Sequence, residues 1–95
     1  MGDEVYRYSF GEDTDMQMVE ETLLLSVIAA EALHGRSKVN LDARFTLQTE
    51  QRACVVDARN DVGKDVAKIF TGLLTAEFGE SAFSVKPATD KEVKI

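Results

Sequence analysis

Residues 5–10, VYRYSF, alternate with period two: Tyr6, Tyr8 and Phe10 fall on one side, Val5, Arg7 and Ser9 on the other. Aromatic and β-branched residues at that spacing predict a strand. The acidic stretch GEDTD, 11–15, reads as a loop ending in a helix start. Thr14 and Gln17 have the spacing of a capping box, and Glu12, Asp13 and Asp15 sit where the positive end of a helix dipole favours carboxylates. The pattern predicts a helix from Asp15 to His34, stopped by Gly35.

A second alternating run, VNLDARFTL, 39–47, predicts another strand, with Val39, Leu41, Ala43, Phe45 and Leu47 on one face and Asn40, Asp42, Arg44 and Thr46 on the other. TEQR, 49–52, reads as a turn, and ACVVDAR, 53–59, as the returning strand. Pairing Leu47 with Cys54 sets Phe45 opposite Val56 and Ala43 opposite Ala58 on the apolar face. The same register puts Arg44 against Asp57 and Asp42 against Arg59 on the polar face. A slip of one residue breaks both patterns, so the register is well specified. Residues 60–79 read as a helix capped by Asn60 or Asp61 and ended by Gly79. Its apolar stripe is Val62, Val66, Ile69, Phe70 and Leu73, with Lys64, Lys68, Thr71 and Thr75 opposite. A last strand at 81–87 turns Phe83 and Val85 inward and stops at Pro87. Residues 88–95 read as a flexible tail.

The order β-α-β-β-α-β, with right-handed crossovers, places both helices on one face of the sheet. It resembles the ferredoxin-like, split βαβ topology: an α+β two-layer sandwich whose four-stranded antiparallel sheet has the order 4-1-3-2. Residues 1–87 then form a single domain, and the second and fourth strands are sheet edges. The topology implies no single activity. The open-face positions that carry base-stacking aromatics in RNA-recognition motif domains hold Val5, Arg7, Val55 and Asp57 here. The first loop is acidic, unlike the glycine-rich, arginine-bearing loop of acylphosphatases, and it lacks the cysteine pair of copper-chaperone domains.

The first helix is apolar on more than one side. Val19, Leu23, Val27, Ala30 and Leu33 cluster on one face, the natural face for the sheet. Gln17, Glu20, Glu21 and Glu31 cluster opposite, yet Leu24 and Ile28 lie among them, flanked by Leu25 and Ala32. One sheet cannot cover all of these. Leu24, Leu25, Ile28 and Ala32, rimmed by Glu21 and Glu31, are therefore the candidate interface. Its partner is a second copy of the chain or another protein.

Bulk properties narrow the classes. The 95 residues suit one domain, and a net charge of −6 opposes stable binding to nucleic acid or an anionic membrane surface. Cys54 is the only cysteine, so an intrachain disulfide is impossible. The beginning of the chain has no basic region followed by an apolar run, and no apolar run is long enough to span a bilayer. The expectation is a cytoplasmic protein.

No catalytic, cofactor or metal constellation stands out. His34 complements the C-terminal end of the first helix, and Cys54 reads as a buried apolar residue. Glu12, Asp13 and Asp15 read as capping carboxylates without the pattern of a calcium loop. NDVGKD, 60–65, is not a phosphate-binding loop. The polar sheet face, Arg7, Asn40, Asp42, Arg44, Asp57, Arg59, Ser84 and Lys86, reads as solvated. The leading expectation is a non-enzymatic interaction module. A sensor holding a metabolite or ion at a dimer interface is the alternative. A dimeric enzyme using His34, Arg7 and Tyr8 is the third reading.

Overall fold

The computed structural model describes residues 4–89. The elements are strand β1 (Glu4–Phe10), helices α1 (Met16–His34) and α2 (Arg36–Asp42), strands β2 (Phe45–Gln48) and β3 (Ala53–Ala58), helix α3 (Asp61–Phe78) and strand β4 (Phe83–Ala88). Short 3-10 turns precede β3 and β4. The four strands form one antiparallel sheet in the order β2-β3-β1-β4. Read from its other edge, this is the predicted order. β1 and β2 flank β3, while β3 and β4 flank β1, so each helical crossover spans one intervening strand.

The apolar alternation decides which sheet face is covered. Tyr8, Phe10, Cys54, Val56 and Ala58 share one core with Val19, Leu23 and Ala30 of α1 and with Val62, Val66, Phe70 and Leu74 of α3. Tyr8 meets Phe70 edge to face, with ring centroids 4.9 Å apart. The predicted hairpin register holds: Leu47 pairs with Cys54 and Phe45 with Val56. Between the helices, the Thr22 hydroxyl lies 2.9 Å from Glu77 Oε1 and 2.8 Å from the Met18 carbonyl oxygen. Ser26 donates to the Thr22 carbonyl, so the polar residues buried in α1 are satisfied locally.

Several local expectations are corrected. The cap of α1 is Asp15, whose side chain accepts from the Gln17 amide, rather than a Thr14 capping box. The first half of the second predicted strand is helix α2. Val39 is buried from it, whereas Leu41 is exposed. Asp42 consequently pairs with Lys38 one turn earlier at 3.2 Å, and Arg59 pairs with Asp57. Ala43 lies outside β2 and has no strand partner opposite Ala58. Arg44 stays beside Asp57, accepting its backbone amide at 2.9 Å. Gly35, at φ 89°, ends α1 and starts α2, a conformation glycine tolerates best. β4 runs through Pro87, as an edge strand permits. The predicted tail therefore begins inside β4; residues 90–95, like 1–3, lie outside the described residues.

The outer sheet face is not simply solvated. Every residue of β3 is buried, including Ala53, Val55 and Asp57. Arg7 on β1 donates to Gln48 Oε1 on β2 at 2.7 Å, and to Gln51 at 3.1 Å. Because β3 lies between those strands, this side-chain bridge crosses over it. Asn40 and Asp42, expected on this face, belong to α2.

Candidate functional site

α1 presents its covered side to the sheet and α3. Its outward side carries Leu24, Leu25 and Ile28 at 49, 56 and 60 % exposure. In a 19-residue helix these fall on adjacent turns, so their side chains form one strip. Glu20, Glu21 and Ala32 are exposed beside them and Glu31 is partly covered. The candidate interface residues thus lie together on one surface. Leu33, expected toward the sheet, is instead 66 % exposed at the end of the helix. His34 and Arg36 bring positive or titratable groups to this end, whereas the opposite half carries Glu20 and Glu21.

A second concavity lies between α3 and the edge strand β4. It has a volume of about 460 Å³ and is lined by Tyr6, Tyr8, Ala67, Lys68, Thr71, Gly72 and Val85. Val85 faces the helix layer as expected, yet it is 39 % exposed because α3 does not extend over β4 there. Thr71, expected on the outer side of its helix, instead meets Tyr8: the two hydroxyl oxygens are 2.8 Å apart, and Tyr8 also donates to the Ala67 carbonyl at 3.3 Å. Burial pushes the Tyr8 phenol up to about 12, against the Thr71 hydrogen bond, which lowers it. Sequence periodicity did not reveal this groove, because it depends on where α3 stops short of β4. The one local signal was Gly72 in the middle of a helix.

The remaining polar candidates are occupied by structural work. His34 Nε2 lies 2.7 Å from Asp65 Oδ2, joining the end of α1 to the first turns of α3. Asn60 caps α3 by accepting from the Gly63 amide at 2.8 Å, and its Nδ2 donates to the Asp42 carbonyl at 2.9 Å. The Gly63 amide is therefore already satisfied. Cys54 is buried, and burial alone pushes its thiol up to about 12. Arg7 and Tyr8, adjacent on β1, point to opposite sheet faces, and His34 meets α3 six residues before Thr71, roughly 9 Å along the axis. The three groups considered for catalysis are not brought together.

Among the described residues no cluster of three or more His, Cys, Asp or Glu side chains could hold a metal ion, and no helix is long and apolar enough to cross a membrane. Comparison with protein-family models, curated proteins and solved structures finds no match to this chain.

Proposed function

We propose that the protein is a ferredoxin-like, non-enzymatic interaction module that pairs with a second copy of itself through the outer face of α1. The observation that carries this reading is the strip of Leu24, Leu25 and Ile28, each about half exposed on one helix surface. The label ferredoxin-like is supported by the two crossovers, each spanning one intervening strand.

A two-fold axis near Ile28 makes the paired helices antiparallel. Ile28 then meets its own equivalent, and Leu24 meets Ala32 of the second copy. The acidic half of each helix, Glu20 and Glu21, faces the end followed by Gly35 and Arg36 of the other. The same arrangement opposes the helix dipoles favourably. Parallel pairing would instead set carboxylates against carboxylates. Covering the exposed halves of six aliphatic side chains supplies roughly 5–9 kcal/mol. Association itself costs ~4–15 kcal/mol, so the contact is expected to be weak.

Light scattering coupled to size exclusion tests this at about 100 μM chain, where even a contact of ~10 μM affinity is populated. The expected result is a dimer mass that falls to the monomer in Leu24→Lys, in Ile28→Lys and, at low salt where the new carboxylates repel most, in Arg36→Glu. A monomer at every concentration, or a dimer unchanged by the leucine and isoleucine variants with circular dichroism intact, overturns it.

A further inference from the structure

The groove between α3 and β4 is separate from the α1 strip and has its own chemistry. Its walls are almost wholly apolar, with Tyr6 and Tyr8 from the central strand β1 and Val85 from the edge. At about 460 Å³ it falls in the lower half of the ~300–1,000 Å³ range of small-ligand sites.

The two glycines buried in or lining α3 differ in a telling way. A Cβ on Gly63 would lie 1.9 Å from the Asp57 carbonyl oxygen, so close packing against β3 requires that glycine. A Cβ on Gly72 would meet nothing within 4 Å. No turn, positive φ or close approach explains a residue that weakens the middle of a helix. What Gly72 does is leave the mouth of the groove open.

One turn earlier on the same helix face stands Lys68, the only charged residue among the described residues that line the groove. It is exposed and forms no ion pair among the described residues. The Tyr8 and Thr71 hydroxyls bond to each other, and with the Tyr8 hydrogen given to the Ala67 carbonyl they keep only lone pairs, so Lys68 is the group there that can meet a negative charge. An apolar slot with a single cation at its rim suits a molecule with an apolar body and one negative end.

We propose that this groove binds a medium-chain monocarboxylate, its chain lying between α3 and β4 and its carboxylate at Lys68. The volume of about 460 Å³ gives room for a chain of octanoate class.

The two tyrosines of the chain both line the groove, and there is no tryptophan, so tyrosine emission reports on this site alone. Octanoate, and 1-octanol as its uncharged counterpart, are titrated into the full chain below micelle-forming concentrations, followed by tyrosine emission and calorimetry. The expected result is saturable binding of one octanoate per chain. Lys68→Gln weakens it about five- to tenfold, the loss of one charge-assisted contact, and leaves octanol unchanged. Gly72→Leu fills the mouth and abolishes binding while circular dichroism stays native. Absence of saturable binding overturns the proposal. So does octanol binding as tightly as octanoate, or native-like Gly72→Leu binding octanoate as the parent does. Leu24→Lys is expected to bind octanoate normally; loss of binding there would assign the ligand to the α1 strip instead.

Discussion

Arg59 folds back on Asp57, two residues earlier, and grips both carboxylate oxygens: Nε to Oδ1 at 2.9 Å and Nη2 to Oδ2 at 2.7 Å. The Arg59 backbone amide adds a third bond to Oδ1 at 3.0 Å. The Arg59 hydrogen bond holds the Asp57 carboxyl below its ordinary value of 3.8, outweighing the opposing effect of burial; Arg44 also lowers it.

The stabilisation from this pair is therefore complete above about pH 4 and is lost as pH falls through the depressed folded value, because the unfolded chain takes up the proton first. Asp57→Asn is expected to cost roughly 1–2 kcal/mol at neutral pH, limited because the Arg59 side chain keeps contact with water. It is also expected to flatten the acid limb of stability. Urea titrations from pH 7 down to pH 3 measure both effects. An acid limb as steep as that of the parent chain would show that other carboxylates control it.

The glycines of α3 should respond in opposite directions to the same substitution. Gly63→Ala drives a methyl group into the Asp57 backbone carbonyl, which cannot swing aside as a side chain can. A loss of at least ~2 kcal/mol is expected, at the upper end of overpacking costs. Gly72→Ala meets open space and should gain up to about 1 kcal/mol from helix propensity. Thermal melts of the two variants beside the parent make the comparison; a destabilised Gly72→Ala would contradict the open mouth of the groove.

Alkali should destabilise the fold through two buried acids. Cys54 is raised from 9.0 and Tyr8 from 10.0, both to about 12. For each, the contribution is intact below its unfolded value and declines as pH rises toward the folded one, since the unfolded chain loses its proton first. Decline should begin near pH 9 with Cys54. Cys54→Ala is expected to delay the onset to about pH 10, measured by denaturant titration across that range. At pH 8 the thiol of the native parent should resist alkylation and react on unfolding. Rapid labelling of the native protein would contradict its burial.

The hairpin was readable because two constraints coincided. Phe45 and Leu47 supplied an apolar alternation that only one register could bury, and Arg44 and Asp57 supplied charges that agreed with it. The stretch before it misled for the opposite reason. Val39, Leu41 and Ala43 alternate, but Val39 and Ala43 are also one helical turn apart, as are Lys38 and Asp42. Five residues do not separate those periods. Val39 and Ala43 turn to the core while Leu41 between them is 75 % exposed, which the helical period allows and the strand period does not.

The outward leucines and isoleucine of α1 were legible because a helix has only one side to give a sheet. The groove was not, since its walls come from three elements whose spacing is a tertiary property. Thr71 looked like an outer-face residue by helical phase alone, yet the Tyr8 hydroxyl reaches it from the sheet.

The side-chain bridge from Arg7 to Gln48 leaves β3 with no residue turned to water on either face. Any alteration along that strand must be matched by repacking of a neighbour, so its sequence is the least free to drift. Adaptation to new binding tasks in this scaffold is thereby channelled to its periphery, where α1, α3 and β4 can vary without disturbing the middle.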